Sequence, residues 1–260
     1  MLTAVLVLAA TGLVLGVVIG IVVKLFAVHP DPKREAVEAL LPGANCGGCG
    51  FAGCADFARA LMAGEAEPGL CPSNTHENIA QIAMLLGLGS IAAREPKVAV
   101  VRCGADRGTA ASKNYNGVTD CKSAALVGGG DKVCAHGCLG YGTCSRACPY
   151  NAIEMLAGGL AVVHADLCVG CGKCVSTCPR KLIQLVPKSA PVHVYCNSPA
   201  KGADKLKFCK TSCIGCRKCV KAAEGKMKVE GFLASVNYAE PPGPAVCEVC
   251  PTHCLRPTVP

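Results

Sequence analysis

Cysteine is the residue that most constrains this chain. It occupies 22 of 260 positions, whereas tryptophan is absent and phenylalanine and tyrosine contribute five residues each. A core this poor in large side chains needs cross-links, and cysteine at such density supplies disulfides, zinc sites or iron–sulfur clusters. The spacing of the cysteines therefore decides what the chain folds around.

A long apolar segment opens the chain. Leu2 to Val23 carry no charge, and 22 residues at 1.5 Å each span roughly the 30 Å of a bilayer core. No basic residue precedes this segment, which favours a transmembrane helix over a cleavable signal peptide. Lys24, Lys33 and Arg34 follow it, so the positive-inside rule predicts a single-pass protein of the bacterial inner membrane with its bulk in the cytoplasm. That reducing compartment disfavours disulfides.

Small residues recur along this predicted helix. Gly12, Gly16 and Gly20 repeat the G-x-x-x-G spacing twice on one face. Such a face lets a partner helix approach closely, although glycine is also common in membrane helices without this role.

The first group of cysteines follows a short helical pattern over residues 33–41. The group has the spacing C-x2-C-x4-C-x16-C, and further helices are predicted after its third member and from about Asn74. A compact helical domain over residues 29–92 results. Zinc and a 4Fe–4S cluster both suit four thiolates, so the uneven spacing alone does not choose between them. The predicted ligands are Cys46, Cys49, Cys54 and Cys71.

The strongest motif is CVGCGKCVSTCP, a complete C-x2-C-x2-C-x3-C-P run. In two-cluster bacterial ferredoxins three cysteines of such a run bind one 4Fe–4S cluster, and the fourth ligates the other cluster. An earlier run, CLGYGTCSRACP, supplies the reciprocal partner. One predicted ligand set is Cys148, Cys168, Cys171 and Cys174, and the other contains Cys138, Cys144 and Cys178.

The earlier run lacks one ligand, because Tyr141 stands where its second cysteine belongs. Cys134, four residues before Cys138, is the nearest spare thiol. We therefore predict that Cys134 completes the site. Cys209 has the same offset from Cys213 in a unit that needs no substitute, which is an argument against this assignment.

The region after residue 93 repeats itself. KVAVVRC and PVHVYC are alternating apolar strands that end in cysteine, and each leads to a C-x3-C pair, a cysteine loop and a hairpin. Two ferredoxin-like units over residues 93–190 and 191–260 are predicted. The second is degenerate, since Ala223 occupies its reciprocal position and one cluster is lost. Its remaining predicted ligands are Cys213, Cys216, Cys219 and Cys250.

Six cysteines belong to none of these sets. They are either buried free thiols, a common state of cysteine in protein cores, or the ligands of a further cluster whose spacing matches no known run. They are Cys103, Cys121, Cys196, Cys209, Cys247 and Cys254.

Charge points to an acidic partner. The formal net charge is +8, although thiolate-bound clusters make the true bias smaller. Residues 201–228 hold nine Lys or Arg against two acids, which is either a solvated face or a surface that steers an acidic electron carrier. LVGGGD has no G-x-G-x-x-G context, so no nucleotide site is predicted, and no nucleic-acid partner is expected.

The order of these features resembles the B subunits of Rnf-type ion-translocating ferredoxin:NAD oxidoreductases. The resemblance rests on one membrane helix, CGGCGFAGC with Cys71, and CLGYGTCSRACP, and it covers essentially the whole chain. The four-cysteine domain is also similar to one in corrinoid iron–sulfur proteins.

The resemblance implies an α+β electron-transfer subunit that accepts electrons from reduced soluble ferredoxin and relays them to other subunits in the lipid membrane. Flavin and nicotinamide chemistry would occur in those other subunits. At least three 4Fe–4S clusters are expected, and four with the compensated site. The alternatives are an electron-transfer subunit of another membrane oxidoreductase and a zinc-binding assembly scaffold.

Overall fold

The structure is a computed structural model that describes residues 2–26, 31–89 and 95–258. Its first element is the single helix α1 (Leu2–Leu25). Residues Thr3–Leu25 have a mean hydropathy of 2.8, and none of them is buried against the rest of the protein. The predicted apolar helix is therefore present, long enough to cross a membrane and free to contact lipid or other helices.

Three helices form the cysteine-bearing region that follows. They are α2 (Pro32–Ala39), α3 (Cys54–Met62) and α4 (His76–Leu86). Asp31 caps α2 through the Lys33 amide, while Thr75 caps α4 and so starts this helix one residue later than predicted. The three helices bury a small apolar core around Phe57 and Ile82.

The next part of the chain forms a first unit of four strands. The outer strands β1 (Lys97–Val101) and β4 (Ile183–Pro187) pair antiparallel, and β2 (Ile153–Leu156) and β3 (Leu160–Val163) form a hairpin. Three short helices lie between the strands: α5 (Cys121–Leu126), α6 (Thr143–Arg146) and α7 (Lys173–Thr177).

A second unit repeats this pairing in fewer residues. Its outer strands are β5 (Val192–Val194) and β8 (Leu255–Pro257), and its hairpin is β6 (Met227–Glu230) with β7 (Leu233–Val236). Helices α8 (Gly202–Leu206) and α9 (Lys218–Ala222) precede the hairpin. Both predicted strands that end in cysteine, and both predicted hairpins, are thus present.

The two units are joined by backbone hydrogen bonds. The Gly104 amide donates to Tyr195 O at 2.9 Å, and the Ala111 amide donates to Phe208 O at 2.8 Å. The helical region contacts the first unit on another side, where a Cβ atom placed on Gly48 would lie 2.8 Å from Cys171 O. Cysteine-bearing loops therefore lie at both contacts.

Candidate metal centres

The first site contains the four cysteines of the helical region. The Cys71 thiol is buried, which raises its pKa, and the nearby Cys49 and Cys46 thiols raise it further. Asn45 shapes the loop, because its side-chain oxygen accepts the Cys54 amide at 2.7 Å at the start of α3. The predicted residues are thus together, and we call them site 1: Cys46, Cys49, Cys54 and Cys71.

Three cysteine loops of the two units share one backbone turn. In each loop a glycine two residues after the first cysteine has a positive φ, +78° at Gly140, +70° at Gly170 and +69° at Gly215. A Cβ atom there would collide with a neighbouring strand or its turn, so only glycine lets the loop lie against the sheet.

The complete motif forms the second site. Four thiols line one cavity of about 330 Å³ beside Ala99 of β1, whose amide donates to Cys168 Sγ at 3.3 Å. Burial raises the pKa of Cys174 to about 12, and neighbouring thiols add to this shift. The cavity joins the residues that the sequence predicted, which we call site 2: Cys148, Cys168, Cys171 and Cys174.

The third site differs from the prediction in its fourth member. A cavity of about 370 Å³ is lined by Cys138, Cys144 and Cys178, and the fourth thiol there is Cys121 at the start of α5. Cys134 does not line it. Burial raises the pKa of Cys144 to about 12, with contributions from the three thiols around it, including Cys121. We call Cys121, Cys138, Cys144 and Cys178 site 3.

A hydrogen-bonded clamp explains why Cys121 reaches this cavity. Asp120 accepts the Thr143 hydroxyl at 2.8 Å, and the same hydroxyl accepts the Cys121 amide at 3.0 Å. Asp120 also caps α5, and the hydrogen bonds that it accepts lower its pKa to about 2. The clamp ties α5 to α6, which carries Cys144, so a cysteine far away in sequence becomes a neighbour.

Tyr141 faces away from site 3. Its ring packs with Leu139, Tyr115 and the Cys121–Ala124 segment, and its hydroxyl donates to Asp131 at 3.3 Å. Arg107 lies over the ring at 5.8 Å and pairs with Asp131 at 2.5 Å. The tyrosine therefore holds the loop in place and is not oriented as a ligand.

The fourth site lies in the second unit. A cavity of about 330 Å³ is lined by the four predicted cysteines and by Cys254, whose Sγ is 3.6 Å from Cys250 Sγ. The hydrogen bond from the Cys254 thiol lowers the pKa of Cys250 to about 4, and the Ala234 amide donates to Cys213 Sγ at 3.4 Å. We call the four predicted cysteines, without Cys254, site 4: Cys213, Cys216, Cys219 and Cys250.

Cys134 instead lines a different cavity, of about 400 Å³, between the two units. Sequence reasoning placed it at site 3 because it lies four residues before Cys138, but it lines the cavity between the units and not that of site 3. Arg180 fixes the loop by donating to Cys134 O at 2.9 Å and Gly137 O at 2.6 Å. The other cysteines of this cavity are Cys103, Cys196 and Cys209.

Two buried lysines near these sites also escaped the sequence reasoning. Lys132 is 1% exposed and Lys205 is 0% exposed, although Lys205 belongs to the basic stretch that was expected to be a surface. Their positions after a glycine-rich loop and inside a basic run gave no signal of burial.

The thiols of sites 2, 3 and 4 each line a cavity. Within the described residues, no three His, Cys, Asp or Glu side chains are grouped closely enough to hold a single metal ion.

Comparisons with known proteins agree with this arrangement. Residues 41–73 match a family described as "Putative Fe-S cluster", and residues 144–189 match the LdpA Fe-S cluster-binding domain. These matches cover all of site 1 and most of the cysteines of sites 2 and 3.

Whole-chain relatives are also similar. The B subunit of the ion-translocating oxidoreductase complex of Methanosarcina acetivorans is 39% identical over 98% of both chains. The B subunit of the proton-translocating ferredoxin:NAD(+) oxidoreductase complex of Clostridium ljungdahlii is 44% identical over 80% of this chain and 73% of its own. The Na(+)-translocating counterpart of Acetobacterium woodii is 39% identical over 98% of this chain and 78% of its own. This chain is an iron–sulfur electron-transfer protein that belongs to the family of B subunits of ion-translocating oxidoreductase complexes.

Proposed function

We propose that this chain carries electrons from reduced ferredoxin to partner subunits of a membrane complex through 4Fe–4S clusters at sites 1 to 4. The observation that carries the proposal is the construction of sites 2, 3 and 4, each a cavity lined by at least four thiols. Four thiolates are the usual ligand set of a 4Fe–4S cluster, which supplies one-electron transfer. The pairings of strands and loops support two ferredoxin-like units, the second degenerate, over residues 93–190 and 191–260.

The proposed electron path is a series of the four sites, and direct contacts join sites 1, 2 and 3. Site 1 meets site 2 where Gly48 packs on Cys171, and Tyr150 lies at this contact, facing both Cys46 and Cys171. Site 2 meets site 3 inside the first unit, since Cys174 and Cys144 are close enough for each thiol to disfavour ionisation of the other. The chain thereby holds the proposed clusters at fixed separations.

Site 4 is the end of the series that is open to a donor. Cys216 is exposed, and Arg217, Lys218 and Lys221 beside it are exposed as well. The equivalent Cys171 in the first unit is covered by Gly48 of the helical region. Ferredoxins that act as soluble donors are acidic as a class, so this basic face is suited to steer one by electrostatic attraction.

Helix α1 supports a membrane anchor, which we propose to be docked among partner helices and lipid. Lys24, Lys33 and Arg34 follow it, so we propose that residues 29–92, 93–190 and 191–260 lie on the cytoplasmic side.

Metal analysis and a matched pair of charge reversals test the proposal. The full chain, purified anaerobically in detergent, should contain iron and acid-labile sulfide in equal amounts. Lys218→Glu should slow reduction by ferredoxin several-fold at low salt and much less at high salt, because screening removes long-range attraction. Lys173→Glu is the control, since Lys173 is exposed and occupies the same position at the start of α7.

Equal slowing by both substitutions would place ferredoxin docking elsewhere. Stoichiometric zinc without sulfide would support the alternative function, a zinc-binding assembly scaffold, and contradict electron transfer.

A further inference from the structure

The cavity between the two units has the features of sites 2 to 4 although no motif predicts it. Four cysteines from four separate segments line it, and none of the four belongs to a C-x2-C run. We call them the junction set: Cys103, Cys134, Cys196 and Cys209.

The junction set is symmetric with respect to the internal repeat. Cys103 and Cys196 each follow the first strand of a unit, β1 and β5. Cys134 and Cys209 each lie four residues before the first cysteine of a loop. Each unit therefore contributes two equivalent thiols, and neither unit holds a complete set alone.

Backbone contacts between the units hold these thiols in one place. Ala110 forms an isolated bridge with Cys209, and the Lys210 amide donates to Thr109 O at 3.0 Å. A Cβ atom placed on Gly137 would lie 3.4 Å from Cys134 Sγ and 3.7 Å from Cys103 Sγ, so both thiols point to the same space.

The local geometry of the thiols matches that of the motif sites. The amide two residues after Cys134, that of His136, donates to its sulfur, as the amide of Ser198 does for Cys196. Cys138 of site 3 receives the same kind of hydrogen bond from the Gly140 amide. Hydrogen bonds of this kind stabilise thiolates and tune the clusters that they bind.

Buried positive charge lies next to the junction set. Lys132 Nζ donates to Ala105 O at 2.9 Å and Gly159 O at 3.0 Å. Lys205 Nζ donates to Ser198 O at 3.0 Å and Phe232 O at 2.8 Å. Neither lysine forms an ion pair with a carboxylate among the residues that the structure describes. Burying two ammonium groups is costly unless a negative charge lies nearby, and thiolate ligands with their cluster supply one.

We propose that the junction set binds an additional 4Fe–4S cluster, which links site 3 in the first unit to site 4 in the second. The proposal rests on the proposed function, since it adds one cluster to that electron path. Cys103 and Cys209 share the buried core of the first unit with Cys138 of site 3, while Cys196 shares that of the second unit with Cys213 of site 4. Without this cluster the path would have a gap at the boundary between the units.

Iron counting on the full chain tests the proposal. Five 4Fe–4S clusters contain about twenty iron atoms, whereas four contain about sixteen. We expect Cys196→Ser, Cys209→Ser and the double variant each to lose about four iron and four sulfide atoms, because all three remove the same cluster. One electron paramagnetic resonance signal should disappear while the others persist. Cys247→Ser is the control, since Cys247 is a half-buried thiol of the second unit that lies outside the junction cavity.

Unchanged iron content in Cys196→Ser and Cys209→Ser would overturn the proposal, as would zinc bound by the junction set. If serine at position 209 causes loss of all iron through misfolding, Cys209→Asp retains an anionic ligand and should alter one resonance signal only. An unaltered spectrum in that variant would also overturn the proposal. Failure of the proposed function differs from these results, because the parent chain itself would then lack iron and sulfide.

Discussion

The choice between Cys121 and Cys134 as the fourth ligand of site 3 can be decided by double substitution. Cys121→Ser and Cys134→Ser are each expected to lose about four iron atoms, from site 3 and from the junction set respectively, and double variants show whether two thiols serve one cluster or two. Cys178 lies at site 3 in either assignment. Substitutions that remove ligands of one cluster are not additive, whereas those that affect two clusters are.

The expected losses follow from the cavities. Cys121→Ser combined with Cys178→Ser should still lose about four iron atoms, because both thiols line the same cavity. Cys134→Ser combined with Cys178→Ser should lose about eight, because Cys134 lines the junction cavity. Iron and sulfide analysis, with spin quantification of the reduced protein, measures the loss in each double variant. A loss of about four iron atoms for the pair with Cys134, or no loss for Cys121→Ser alone, would refute the assignment.

Tyr141→Cys gives an independent check. Restoring the usual C-x2-C-x2-C spacing would be expected to rescue Cys121→Ser if the loop alone determined ligation. In the structure the ring packs on Tyr115 with centroids 6.1 Å apart, lies under Arg107 and bonds Asp131. Loss of these contacts should destabilise the chain by about 2–3 kcal/mol without restoring iron. Recovery of the site 3 signal would show that position 141 can turn inward.

Three further predictions concern other parts of the chain. Gly48→Ala should retain all iron but slow electron transfer from site 2 to site 1, measured by rapid-freeze resonance, because its methyl group would lie 2.8 Å from Cys171 O. Gly16→Leu should reduce recovery of the assembled complex in affinity purification if α1 docks through its glycines, and normal recovery would exclude that role. His193 is buried, which lowers its pKa to about 4, so it stabilises the fold fully above pH 6.5 and less as the pH falls toward 4. This contribution amounts to at most about 3 kcal/mol. The temperature at which cluster absorption is lost on heating should therefore differ less between pH 5 and pH 7 in His193→Gln than in the parent chain.

Much of the fold could be predicted because its signals are local. The uncharged run that forms α1, the strands before Cys103 and Cys196, and the hairpins with glycine at their turns all depend on residues close in sequence. The grouping of the CVGCGKC thiols in the site 2 cavity was also predictable, since a complete loop fixes three thiols at once.

The position of Cys121 at the site 3 cavity could not be predicted in this way. Distance along the chain made Cys134 the nearest thiol, whereas the Asp120–Thr143 clamp brings Cys121 to the cavity from a segment between the two motifs. A capping aspartate directly before a cysteine is visible in the sequence, but its partner Thr143 is a tertiary contact. The burial of Lys205 was equally hidden, because its carbonyl partners are Ser198, in the loop before α8, and Phe232, in the turn between β6 and β7.

The placement of the junction set explains how a degenerate second unit can stay useful. Ala223 removes a reciprocal ligand, so this unit cannot hold the pair of clusters that a complete ferredoxin-like unit would hold. Two thiols of this unit outside site 4, Cys196 and Cys209, line the cavity at the boundary with the first unit. Two thiols from the equivalent positions of the first unit line the same cavity. A cluster bound at this boundary would cross-link the units, because separating them would break two of its four ligand bonds. Such a cluster would offset the loss of one site inside the unit, and it would fix the distance between the exposed Cys216 and site 3 along the proposed electron path.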